Sequence, residues 1–352
     1  MAKRRIGVSM VGLAHQRTSG LERYGVDLIN SLRHEAHDDW EIVPFVHSWA
    51  AGILGGDCVV VPSHLPRPVA LEAWLPLAAK KSRVKLMHGT GFGIPPQVPC
   101  PFTLTVQDLI SWELPDTITR GNRYYFRSMM ERAIRGKRLA GAVATTRSTA
   151  EAFVSRFDVG VPVSVARIGL AEWWQTQQPG GPWGRNGPLR LLTVGTLEPR
   201  KGLHRIARAC ELLDDAGISY EWRLAGRAGW GAMDVPPQLE VLGRVSDEEL
   251  REEYDRADVL VSASSQEGFN LPALEGLSRG CGLVLSDVPV HRELFSPFAS
   301  LFPLGDEDAL GRELIRTQRP DSARRQAAKR HSGLFSWRES SQSIFELWDK
   351  VL

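Results

Sequence analysis

The stretch SSQEGFNLPALEGLSRG, from Ser264 to Gly280, decides how the second half of the chain is read. The apolar run Val259–Ala263 before it has the length and composition of a buried strand. Pro272 suits the first turn of a helix, so strand, loop and helix follow in order. Glu267 then stands in the loop and Glu275 in the first helical turn, with the amides of Phe269, Asn270 and Leu271 near the helix N-terminus. A carboxylate accepts two hydrogen bonds, and a vicinal diol offers two hydroxyls side by side. Two carboxylates so placed can hold two diols, such as the ribose and hexose of a nucleotide diphosphate sugar. The plain alternative makes Glu275 a partner of the helix dipole and Glu267 a surface residue.

Upstream, LLTVGTLEPRKGLHRIARA (Leu191–Ala209) repeats the plan: a strand ending at Gly195, a turn, then Arg200 and Lys201 at the opening of a helix. Helix N-termini present free N–H groups and a positive partial charge. Cations there would add charge-assisted bonds to a diphosphate, Arg as a fork and Lys as a point charge. The alternative is a solvated helix start. Neither G-x-x-x-x-G-K-[ST] nor a G-x-G-x-x-G after the first strand is present, and Gly89, Gly91 and Gly93 form a G-x-G-x-G with no helix behind it.

Working outward, short apolar runs alternate with amphipathic helices. Strands are predicted at Arg5–Met10, Glu41–Phe45, Cys58–Val61, Val84–Met87, Phe102–Val106, Ala142–Thr146, Val163–Ile168, Leu189–Val194, Glu221–Leu224, Val259–Ala263 and Gly282–Ser286. Helices are predicted over Leu21–Glu35, with Tyr24, Leu28 and Leu32 on one face, and over Lys201–Asp215, with Leu203, Ile206, Cys210 and Leu213 inward. Proline and alanine obscure the period over 46–82. Gln175–Pro188, with four glycines and three prolines in fourteen residues, reads as a linker. The expectation is an α/β protein of two halves with parallel sheets, ligands binding at the carboxyl ends of the strands.

The totals agree. A chain of 352 residues fits two domains of roughly 150 each. With 43% hydrophobic and 24% charged residues it can build full cores, and a net charge of +2 implies no global attraction to nucleic acid. Cys58, Cys100, Cys210 and Cys281 lack zinc or disulfide spacing and read as reduced cytosolic thiols. The N-terminus reads as a first strand, not a signal peptide, and no run approaches a membrane span.

VGTLEPRKGL, EGFNLPALE, RVSDEELREEYDRADVLVSAS, GLVLSDVPVHREL, SGLERYGVDLINSL and FSWRESSQSIFELW together resemble the retaining glycosyltransferases of family 4, densely over 189–295 and more loosely over 1–178. The resemblance implies the GT-B fold: Rossmann-like domains at 1–178 (acceptor) and 189–334 (donor), and a helix at 335–352 crossing back to the first. It implies that Arg200 and Lys201 neutralise the donor diphosphate, Glu275 holds the ribose, and Glu267 with the amides of Phe269, Asn270 and Leu271 contacts the transferred sugar. Gly195 and Gly20 would let backbone approach the donor, Arg244 and Val245 would line the base pocket, and His88, Gln107 and Asp108 would lie on the acceptor and sugar side. Gln107 stands where many relatives carry His, which excludes acid–base titration there, and Ser19 replaces the first glycine of a Gly-Gly loop.

The implied reaction moves a sugar from a nucleotide diphosphate sugar to a glycan or lipid-linked acceptor of a bacterial surface polymer, with retention by front-side attack. The wording VGTLEPRKGL inclines the donor toward a GDP-linked mannose or rhamnose type. No metal or other cofactor is expected, and Asp306-Glu307-Asp308 reads as a helix cap. A catalytically silent sugar-nucleotide binder and a nucleotide-sugar epimerase of the same fold are the alternatives. Arg120, Arg123, Arg127, Arg132, Arg135, Lys137 and Arg138, interleaved with aromatic and apolar residues, read as a solvated helix, as a patch for an anionic membrane surface, or as an RNA contact; no nucleic-acid module accompanies them. A cytoplasmic protein, peripheral on the inner face of the membrane, is the corresponding location.

Overall fold

A computed structural model describes residues 3–13, 20–37, 39–91, 93–171, 174, 187–227, 229–230, 235–317 and 322–352. The chain divides into two units, one of Met1–Gly169 with Ser336–Leu352 and one of Leu170–Phe335. The expected linker lies outside the described residues except for Gly187 and Pro188.

The first unit is built on β1 (Arg4–Ser9), β2 (Trp40–Val46), β3 (Val59–Val60), β4 (Leu86–Gly89), β5 (Phe102–Val106), β6 (Leu139–Ala144) and β7 (Val163–Val165). All pairs are parallel, in the order β3-β2-β1-β4-β5-β6-β7. Every residue of β4 and β5 is buried, as a parallel sheet covered on both faces requires. The Gly20–Glu35 helix lays Tyr24, Leu28 and Leu32 on the sheet. The unclear region 46–82 holds helical segments at Ser48–Leu54, Arg67–Val69, Ala70–Trp74 and Leu75–Lys81, the third a π-helical turn.

The helix Trp337–Val351 completes this same unit. It buries Ile344, Leu347 and Trp348 completely, and the Trp348 indole donates to Thr103 Oγ1 at 3.1 Å. Ser31 and Ser341 share a hydrogen bond of 2.7 Å, and the Tyr24 and Trp337 rings meet at 5.6 Å.

The second unit holds β8 (Leu189–Val194), β9 (Tyr220–Ala225), β10 (Leu239–Gly243), β11 (Val259–Ser262), β12 (Gly282–Ser286) and β13 (Ala299–Phe302), all parallel in the order β10-β9-β8-β11-β12-β13. The edge strands β10 and β13 were not anticipated. Leu203, Ile206, Cys210 and Leu213 of the Leu203–Asp215 helix join Trp222, Val259, Val261 and Leu310 in one core. From β8 the chain builds outward through β9 and β10, and from β11 through β12 and β13. The order therefore reverses between β8 and β11, the place where open α/β sheets bind ligands.

Candidate functional site

The turns after β8 and β11 are locked together at that reversal. Past Gly195 the chain passes Glu198, makes a 3-10 turn at Pro199–Lys201, and enters the Leu203–Asp215 helix through Gly202 at φ +70°. A Cβ on Gly202 would lie 2.2 Å from the Ala263 carbonyl, so only glycine lets the turn approach the end of β11. The Ser265 amide donates to the Arg200 carbonyl at 2.7 Å, and Arg200 Nη1 donates to the Gln266 carbonyl at 3.0 Å. Arg200 and Lys201 thus stand in the turn before the helix, where the sequence suggested the helix itself.

Four charged side chains converge here. Lys201 Nζ lies 2.5 Å from Glu267 Oε1, Arg200 Nη1 3.2 Å from Glu267 Oε2, and Arg200 Nε 2.6 Å from Glu198 Oε1. Only 7% of each carboxylate side chain is exposed. Burial pushes the Glu267 carboxyl up, but Lys201 and Arg200 outweigh it and hold the group well below the usual carboxylate range. Glu198 goes the other way: burial raises its pKa despite Arg200 and Lys201. Burial also lowers the Lys201 ammonium. Glu198 was missed in the sequence, although an acid two residues before a paired Arg-Lys at a strand-to-helix turn is a readable signal.

Asn270 sits at φ +69° and caps the Leu271–Arg279 helix by accepting from the Ala273 amide at 3.3 Å. Its Nδ2 donates to Ser262 Oγ at 3.1 Å and meets His291 Nε2 at 2.7 Å. His291 Nδ1 faces the Ser286 carbonyl at 2.7 Å, so its proton belongs on Nδ1, and burial lowers the imidazole pKa. The Asn270 side chain is therefore structural. The amides of Phe269, Asn270 and Leu271 have no partner among the described residues and stand at the helix mouth. Glu275 is the fifth residue of the helix, past the first turn where the sequence placed it, because the helix starts at Leu271. It is buried and accepts from the Tyr254 hydroxyl at 2.9 Å. Arg244 is exposed and Val245 half-buried after β10, just ahead of the Ser246–Glu249 capping box.

In the first unit the placement of His88 on the acceptor side is corrected. His88 lies on β4 opposite Thr103 of β5 and is fully buried. Its Nδ1 pairs with Thr103 Oγ1 at 2.8 Å and its Nε2 with Thr105 Oγ1 at 3.0 Å, so both nitrogens are used inside the core. Burial lowers its pKa to about 3. Gln107 Nε2 donates to the Thr90 carbonyl at 3.0 Å, and Asp108 accepts from the Ile110 amide at 3.0 Å. Gly20 opens the first helix; Thr18 and Ser19 lie outside the described residues. Gly91 packs on Leu13 and Gly93 on Met129, which explains those glycines without a nucleotide.

The basic stretch forms the Arg120–Arg135 helix, with Met129 and Met130 in the core. Arg132 grips both oxygens of Glu72 at 2.7 and 2.8 Å, Arg127 donates to the Ser111 carbonyl at 2.8 Å, and Arg123 to that of Pro115 at 3.2 Å. Arg135 reaches Glu131 at 3.4 Å; Arg120, Lys137 and Arg138 are exposed. Asp306 and Asp308, ahead of the Ala309–Arg316 helix, pair with Arg312 and Arg208. Among the described residues no group of three His, Cys, Asp or Glu side chains is placed to share a metal ion, and no helix is long and apolar enough to cross a membrane.

Two parallel α/β sheets, with a charged cluster at the reversal of the second, define a protein of the GT-B glycosyltransferase fold. Sucrose-phosphate synthase from Thermosynechococcus elongatus superposes with a TM-score of 0.73, at 17% identity and over 99% of both chains. Residues 183–331 match the family described as "Glycosyl transferases group 1". The serotype-specific mannosyltransferase WbdA of Escherichia coli is 35% identical over 122 residues, 32% of this chain but only 15% of that protein's length. The O-antigen chain mannosyltransferase RfbU of Salmonella typhimurium is 23% identical over 334 residues, 87% of this chain and 90% of its own. Both of these relatives are bacterial mannosyltransferases.

Proposed function

We propose that this chain transfers a sugar, of the mannosyl type, from a nucleotide diphosphate sugar to a hydroxyl of a glycan or lipid-linked acceptor, with retention at the anomeric carbon. The observation that carries the reading is the Arg200, Lys201 and Glu267 cluster at the β8–β11 reversal. Departure of the nucleotide diphosphate builds negative charge on phosphate, and Arg200 and Lys201 are two fixed cations that answer it. The reading assigns that charge to them and routes no step through a metal. Glu267 shares its charge with both cations, which suits it to orienting sugar hydroxyls and makes it a poor nucleophile. The acceptor attacks on the face the diphosphate leaves, and a phosphate oxygen takes its proton. The amides of Phe269, Asn270 and Leu271 donate to the sugar or the diphosphate. Glu275 holds the ribose, sharing its carboxylate with Tyr254. A GDP-linked donor fits a Mycobacterium tuberculosis relative, 26% identical over 169 residues, that is described as a GDP-mannose-dependent mannosyltransferase. The exposed Arg120, Arg132, Arg135, Lys137 and Arg138, with Tyr124 at 77% exposure, form the face that meets an anionic membrane surface.

The test is transfer from GDP-mannose, and from UDP-glucose as comparison, to a lipid-linked glycan acceptor, with the anomeric configuration of the product read by NMR. The expected product from an α-linked donor is α-linked. Lys201→Ala is expected to lower the initial rate about a hundredfold or more. Donor binding without release of nucleotide diphosphate would favour a silent binder, and a changed sugar with no acceptor used would favour an epimerase.

A further inference from the structure

The four clustered side chains carry two positive charges, Arg200 and Lys201, and two negative, Glu198 and Glu267. A nucleotide sugar brings two more negative charges in its diphosphate. With both carboxylates ionised the cluster has no net positive charge to meet them, and Glu198 competes with phosphate for the same guanidinium. Glu267 pairs closely with both cations, whereas the close ion pair of Glu198 is with Arg200, Lys201 acting on it less strongly. Building on the donor reading above, we propose that Glu198 is a positioning residue whose carboxylate takes up one proton from solvent as the diphosphate engages Arg200 and Lys201. Its carboxylate holds Arg200 in place at 2.6 Å; once protonated, it yields that cation to phosphate without leaving a buried charge unpaired.

The surroundings favour this assignment. Burial already raises the pKa of Glu198. The other charged groups around it are Arg200 and Lys201 on its own turn, Glu267 from the loop after β11, and Arg227 after β9, whose carbonyl binds the Leu197 amide. Arg205, on the Leu203–Asp215 helix, reaches Ser265, and burial lowers the pKa of His291 on the Pro289–Phe295 helix.

Isothermal titration of the full chain with GDP-mannose and with UDP-glucose, from pH 6 to 8 in phosphate and in imidazole buffer, measures the proton directly. The diphosphate of an intact nucleotide sugar stays fully ionised over this range, so any proton exchanged belongs to the protein. The expected result is uptake of up to one proton, with affinity weakening by up to about tenfold per pH unit as pH rises. Glu198→Gln is expected to bind with a flat profile and no uptake; Glu198→Ala serves the same purpose if the glutamine variant does not fold. No proton uptake by the wild-type chain, or the same uptake by the variants, overturns the role of Glu198 while leaving the donor site standing. No binding of any nucleotide sugar overturns the donor reading and this inference with it.

Discussion

At the scale of single residues, two buried titratable groups, His88 and Glu267, show that burial can leave one side chain neutral and another charged. The resemblance puts His88 on the acceptor and sugar side, yet its partners stand two positions apart on the next strand. Thr103 and Thr105 share one face of β5 and offer an oxygen to each ring nitrogen. The imidazole is held neutral, with its pKa lowered by burial to about 3 against an ordinary 6.5. The sign follows: the unfolded chain binds the proton first, so stability is full above pH 6.5 and falls as pH drops toward 3. At pH 5 this group alone costs about 2 kcal/mol. Urea midpoints from pH 7.5 to 4 should show that fall, and His88→Asn, though weaker at pH 7, should lose stability less steeply. Glu267 behaves conversely: its cations keep it ionised through this window, so its pairing contributes until well below pH 4.

At the scale of elements, the decisive piece is the turn from β8 into its helix. Gly202→Ala places a Cβ against the Ala263 carbonyl and forces a left-handed backbone on alanine. We expect a loss of at least about 1–2 kcal/mol in thermal or chemical unfolding, together with weaker donor affinity, since Arg200 and Lys201 ride on this turn. Much of this level was legible. The central strands are continuous apolar runs, and Phe102–Val106, Leu189–Val194 and Gly282–Ser286 fall where the pattern put them. The edges were not: β10 interposes Glu240 and exposes Val241, and β13 is four residues long. The helical segments between Ser48 and Lys81 were hidden by proline and by a π turn that breaks the 3.6 period. The carboxylate pair and the cations were readable as residue types at a spacing. Their ion pairing, and the part of Glu198, depend on two loops brought together only by the sheet order.

At the scale of the whole molecule, the proposed donor residues Gly195, Arg200, Lys201, Glu267 and Glu275 all belong to the unit Leu170–Phe335. Donor at a hundredfold excess over Kd should stabilise the folded protein by about 2.7 kcal/mol. Hydrogen exchange should place the protection in 195–202 and 264–275; protection confined elsewhere would contradict the donor site. The chain path carries one more consequence. The first unit is not finished until its closing helix, Trp337–Val351, has been made, and that helix is synthesised only after the whole of the second unit. Throughout synthesis of the second unit, the nascent first half waits with the sheet face destined for Ile344, Leu347 and Trp348 uncovered, a sticky intermediate of the kind chaperones hold. A stop codon anywhere in the final helix would therefore damage not the unit just translated but the one completed in outline long before.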